Sequence, residues 1–109
     1  MGITRSEIFT EHQNELALIF KAFAHPARIA ILQQIIKAKA CICTDLVVEI
    51  GLAQSTISQH LKELKNSGLI KGNIEGTSIC YCIDENKWNE VKMLYDDFFK
   101  SNVHFNKCC

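Results

Sequence analysis

The spacing of hydrophobic positions changes along the chain, and each change marks an element. From Ser6 to Phe23, the residues Ile8, Leu16, Ile19, Phe20 and Phe23 recur near helical spacing, with Glu11, Gln13 and Asn14 between them. This pattern predicts an amphipathic helix. His25-Pro26 follows, and proline is tolerated at the first helical position because its missing N–H would be unpaired there anyway. A second helix is therefore expected from that point, carrying Arg28, Ile29, Ile31, Leu32, Ile35 and Ile36. After Lys37-Ala38-Lys39-Ala40, Thr44 or Asp45 can cap a short helix from Asp45 to Ile50, which Gly51 ends. Gln54 to Ser67 predicts the next helix, with Ile57, Leu61 and Leu64 on one face and Gly68 as its stop.

The period then falls to two. LIKGNIEGTSICYCID reads as two strands around a Glu75-Gly76 turn. Ile79, Tyr81 and Ile83 alternate, which puts Cys80 and Cys82 together on the opposite face. From Glu85 to Val103 the helical period returns as a wide apolar stripe of Trp88, Val91, Leu94, Tyr95, Phe98 and Phe99. A stripe that large rarely stays exposed, so this helix and the first one are expected to form a homodimer interface. Together these elements predict one mostly α domain over residues 1–109 with a small β-hairpin. Its parts are an N-terminal dimerisation helix (1–23), a helix-turn-helix (44–67), a hairpin wing (69–84) and a C-terminal dimerisation helix (85–103).

A short helix, a turn containing glycine, a second helix and a hairpin make a winged helix-turn-helix, whose second helix enters the DNA major groove N-terminus first. The residues so placed are Gln54, Ser55, Thr56, Ser58, Gln59 and His60, whose short or amide-bearing side chains suit base edges and phosphates. Lys62 adds local charge beside them, as do Lys65 and Lys71, and the wing tip from Asn73 to Ser78 is placed to touch the minor groove or the backbone. A polar helix alone is usually just a solvated face; joined to the turn and hairpin, it points to double-stranded operator DNA.

Charge refines this picture. The chain has 12 basic and 12 acidic residues, so no global field draws it to nucleic acid and binding depends on local clustering in a dimer. The apolar share of 48% with 22% charged suits a globular domain. No apolar run is long enough to span a membrane, and the N-terminus lacks the apolar core of a signal peptide. A cytoplasmic location is expected. The opening Met-Gly with Ser6 fits a short myristoylation pattern, which chance explains better.

The six cysteines form three close pairs: Cys41/Cys43, Cys80/Cys82 and Cys108/Cys109. In a reducing compartment, clustered thiols point to metal binding or redox chemistry more than to a structural framework. Cys41 and Cys43 precede the first reading helix, where an extended segment lets them converge and the helix N-terminus favours thiolate. Soft sulfur donors favour arsenite, antimonite, cadmium or lead over hard cations. The plainer reading is a pair of small buried side chains. Cys80 and Cys82 either act as ligands or pack beneath the wing. No histidine stands beside Cys41, Cys43, Cys80 or Cys82 in sequence to activate a thiol, so an enzyme is not expected, and no organic cofactor is implied.

In LALIFKAFAHPARIAIL, CICTDLV, GLAQSTISQHLKELKNSGLI and EGTSICYCID, the chain resembles the ArsR/SmtB family of small dimeric winged-helix repressors across nearly its whole length. It departs at Ala53, where members often carry a capping serine, and at Thr44, inserted between the Cys-x-Cys phrase and Asp45. The resemblance implies a repressor released from operator DNA when arsenite or antimonite binds Cys41 and Cys43. A further donor, often from the partner subunit, is implied as well, with Cys108 or Cys109 as the candidates. Cadmium, lead or zinc are the alternative ions, and a thiol redox or persulfide sensor is the main rival. The family's second metal site, on its last helices, finds only Asp96, Asp97, His104 and His12 here, so a zinc site there is not expected.

Overall fold

The computed structural model describes residues 8–43, 50–76 and 78–100. Among them are four helices and one hairpin, in the order α1 (Glu11–Phe23), α2 (Pro26–Ala38), α3 (Gln54–Asn66), β1 (Ile70–Glu75), β2 (Ser78–Ile83) and α4 (Glu85–Phe99). This is the mostly helical winged helix-turn-helix that the hydrophobic pattern predicts. Of the short helix expected over residues 45–50, only Ile50 lies within the described residues, and it is helical.

Helix α1 starts later than its apolar spacing suggests, for a local reason. Thr10 closes a capping box: its Oγ1 accepts the Gln13 N–H at 3.0 Å, and Gln13 Oε1 accepts the Thr10 N–H at 3.0 Å. Two N–H groups left open by the helix geometry are thereby satisfied, and the chain breaks at Phe9 and Thr10 between α1 and the helical, exposed Ile8. Helix α2 opens on Pro26, with His25 Nδ1 accepting the Ala27 N–H at 3.1 Å.

Ala53 precedes α3 and contributes no side-chain cap. Its carbonyl instead accepts the N–H groups of Thr56 and Ile57, each at 3.0 Å. The turn before it needs Gly51, whose φ of +80° lies in the left-handed region that side chains disfavour. In the wing, β1 and β2 pair antiparallel from Ile70↔Ile83 to Glu75↔Ser78, and Gly76 turns the tip at φ +63°.

The core is where these elements meet. Ile31, Leu32 and Ile35 of α2 pack with Ile57, Leu61 and Leu64 of α3, with Leu69 and Ile70 at the wing root and with Val91 of α4. Ile19 and Ala22 of α1 close the cluster. Outside it, α1 and α4 meet through aromatic edges: Phe20 lies edge-on to Tyr95 at 5.0 Å between ring centroids and to Phe98 at 5.9 Å. Leu18, Met93, Phe98 and Phe99 remain exposed along these two helices. No helix among the described residues is long and apolar enough to cross a membrane.

Candidate functional site

Helix α3 carries its polar residues outward because Ile57, Leu61 and Leu64 fix its other face to the core. Gln54, Ser55, Thr56, Ser58, Gln59 and Lys62 are all exposed, as are Lys65 and Lys71. The amide of Gln59 makes only a long contact of 3.5 Å to Glu63 Oε1. These side chains are free of the fold and can meet a groove.

His60 departs from its expected place among them. It is 7% exposed, and its Nδ1 accepts the Arg28 Nε–H at 3.2 Å while its ring lies 4.3 Å from that of His25. Arg28 also donates from Nη1 to the Lys21 carbonyl at 3.3 Å. The three contacts tie the end of α1, the start of α2 and the middle of α3 together. His60 thus positions the recognition helix from behind, and the helical spacing Ile57-His60-Leu61-Leu64 is the signal for that inward face.

Burial, followed by the positive potential of His25 and Arg28, holds the His60 imidazole below its ordinary value of 6.5, with Glu63 opposing. Between 6.5 and that lowered value, the unfolded chain takes a proton that the folded chain refuses. Stability from this group is therefore complete above 6.5 and falls as the pH drops through the window beneath it. His60→Asn retains an acceptor for Arg28 but cannot titrate. Its melting temperature is expected to vary less than that of the parent between about pH 7.5 and pH 5.5, as thermal melts in matched buffers would read.

The thiols converge from two elements. Ile42 forms an isolated antiparallel bridge with Tyr81, the Ile42 N–H donating to the Tyr81 carbonyl at 2.9 Å and the Tyr81 N–H to the Ile42 carbonyl at 2.8 Å. The residues flanking a hydrogen-bonded antiparallel pair form non-hydrogen-bonded pairs, whose Cα atoms approach to about 4.5 Å. Here these are Cys41 opposite Cys82 and Cys43 opposite Cys80, with Cα separations of 4.3 and 4.1 Å, and both pairs are joined as disulfides. Cys80 is buried, and the other three cysteines are half-buried. Asn73 Nδ2 on β1 donates to Cys82 Sγ at 3.5 Å and to Cys41 Sγ at 3.7 Å.

Four of the six cysteines are thus brought to one ladder. Cys108 and Cys109, the expected third donors, lie outside the described residues, as does His104. His12, Asp96 and Asp97 are exposed and form no metal-holding group among the described residues. With the disulfides closed, no group of three or more histidine, cysteine or carboxylate side chains among the described residues is arranged to hold a metal ion. Cys41 and Cys82 are also exposed to two clefts. One, of about 420 Å3, is walled by Ile35, Ile36, Ile83 and Trp88 with Lys39 and Glu85; the other is lined by Lys71 and Asn73.

Known proteins share this architecture. Residues 25–71 match the family described as bacterial regulatory protein, arsR family. An uncharacterized HTH-type transcriptional regulator of Methanocaldococcus jannaschii is 36% identical over 88 residues, which cover 80% of this chain and 98% of that protein. The transcriptional repressor PagR of Bacillus anthracis is 34% identical over 86 residues, 73% of this chain and 86% of its own. An ArsR-like transcriptional regulator from Rhodococcus sp. RHA1 superposes with a TM-score of 0.69 at 21% identity, covering 84% of this chain and 85% of that one. Its likeness bears on the fold. The relatives are regulators rather than enzymes, and on the extent of the match the chain belongs to the ArsR family of helix-turn-helix transcriptional regulators.

Proposed function

We propose that the protein is an operator-binding repressor whose DNA affinity is set by the redox state of Cys41, Cys43, Cys80 and Cys82. One observation carries the reading: these residues pair across the Ile42–Tyr81 bridge, which joins the entrance of the reading unit to the wing. DNA contacts in this reading come from Gln54, Ser55, Thr56, Ser58, Gln59 and Lys62, with the wing tip on the backbone. The active form is a homodimer, assembled through the apolar residues that α1 and α4 leave exposed.

In the reduced state, two backbone hydrogen bonds hold the segment at 41–43 to β2, and the reading unit and wing can adjust to a groove. Oxidation by hydrogen peroxide turns each thiol pair into a disulfide, one peroxide per pair becoming two waters, and pins segment to strand. A dimeric reader needs its two recognition helices about 34–36 Å apart, so a small fixed displacement weakens binding. Disulfides in reducing compartments are usually transient and sensory, which agrees with this role.

A second reading keeps the same sulfurs and changes the effector. When reduced, the ladder offers up to four soft donors, more than the three that arsenite or antimonite usually takes, without recourse to Cys108 or Cys109. Cadmium, lead and zinc would use the same donors. Cysteine variants and two effectors separate the readings. In the redox reading, diamide releases the reduced protein from labelled promoter DNA, arsenite does not, and Cys82→Ser loses most of the response. Release by anaerobic arsenite alone would transfer the function to the metalloid, and release by neither would sink both.

A further inference from the structure

The two disulfides differ in their surroundings, and the difference suggests a division of labour. Cys43–Cys80 ends on a sulfur residue that is 1% exposed, and neither Cys43 nor Cys80 lines a cleft described above. Cys41–Cys82 forms part of the wall of two clefts. The one of about 420 Å3 has an apolar lining of Ile35, Ile36, Ile83 and Trp88 directly beside the sulfurs. On the other side stand Asn73, whose amide already donates to both sulfurs, and Lys71, opposite Cys82 in the ladder.

We propose that Cys41–Cys82 is the exchange-reactive disulfide, that the apolar cleft docks a small thiol with an apolar body to attack it, and that Cys43–Cys80 stays closed as a pin. This deepens the redox reading and rests on it, since the disulfides must form. Exchange proceeds by attack of a thiolate on one sulfur while the other departs as thiolate. Asn73 Nδ2 lies nearer Cys82 Sγ than Cys41 Sγ, so Cys82 is the leaving sulfur, solvated by that N–H and by the Lys71 charge. The incoming thiolate bonds to Cys41 and the Cys41–Cys82 bond breaks. A second thiol then attacks the mixed disulfide, releasing the Cys41 thiolate and the small-molecule disulfide. Two thiols are oxidised, one protein disulfide is reduced, and the protons lost by the thiols balance those taken up by the two cysteines. Asn73 acts here as a positioning residue.

The test uses full-length protein with both disulfides closed, limiting anaerobic benzyl mercaptan, an acid quench and mass mapping. The expected first product carries the benzylthio group on Cys41 and a free Cys82, with Cys43–Cys80 intact. The rate should saturate with benzyl mercaptan and stay linear with 2-mercaptoethanol, which has little apolar body. Asn73→Leu, at an exposed position, should slow exchange about fivefold, the scale of one lost hydrogen bond. Ile36→Glu, also exposed, should abolish saturation. A first adduct on Cys43 or Cys80, or equal and unsaturated rates for the two thiols, would overturn the proposal. Failure of the disulfides to form on oxidation would overturn it together with the redox reading. The expected exchange pattern without any change in DNA affinity would overturn the redox reading alone.

Discussion

Leu64→Ala is expected to lower the stability of the protein by about 2–5 kcal/mol, the largest effect of any conservative single change considered. Leu64 is fully buried at the junction of α2, α3 and the wing root. Truncation removes the transfer free energy of the deleted carbons and leaves a cavity that this junction cannot easily refill, because Ile31, Ile57, Leu69 and Ile70 are themselves buried to within 2%. In a domain of this size such a loss lowers the melting temperature by roughly 10 °C or more. Ile74→Ala supplies the control: its side chain is 81% exposed on the wing, so its stability should stay within about 0.5 kcal/mol of the parent. Denaturant melts of the two variants check both values, and equal losses would contradict the assigned core.

Gln59→Ala is expected to weaken operator binding by about 1–3 kcal/mol per recognised base pair while leaving stability unchanged. The amide stands exposed on α3, and its contact to Glu63 is too long to hold the fold. An amide offers one donor and one acceptor to an adenine edge, and alanine offers neither. Lys62→Ala should behave differently. A phosphate contact carries no sequence information, so its loss weakens all DNA alike and lowers the salt slope by about one per subunit. Anisotropy titrations over several salt concentrations, on operator and on unrelated DNA, distinguish the two patterns. Equal losses on both DNAs for Gln59→Ala would remove it from base readout.

Much of this arrangement is legible in the sequence, because local rules govern it. Helix α3 follows from Ile57, Leu61 and Leu64 at helical spacing, and the wing from alternating residues around Gly76. Helix α2 begins where Pro26 demands it. The start of α1 is less legible, since apolar spacing runs back to Ile8, yet the Thr10–Gln13 box closes the helix three residues later. The motif Thr-x-x-Gln is itself visible in the sequence and would have marked the boundary. His60 shows how one residue can belong to two patterns. Its position among polar residues suggests DNA, whereas its spacing from Ile57 and Leu64 points inward, and burial against Arg28 decides between them.

The sulfur ladder is the feature that local reasoning misses. Cys41 and Cys43 suggest one pair and Cys80 and Cys82 another, because residues two apart share a face of an extended segment. The partners are instead crosswise, at sequence separations of 41 and 37. Only the Ile42–Tyr81 bridge brings them into register, and a single hydrogen-bonded pair leaves no periodic trace. What the sequence does hold is the repeated Cys-x-Cys spacing, which matches across two antiparallel extended segments.

The central claim is that these four sulfurs govern DNA affinity, and one measurement tests it most directly. The dissociation constant for promoter DNA should be determined for a single preparation, first fully reduced and then with both disulfides closed and verified by mass. The account predicts binding at least about tenfold weaker in the oxidised form, a difference of about 1.4 kcal/mol, with full recovery on reduction. Equal affinities in the two states would contradict it.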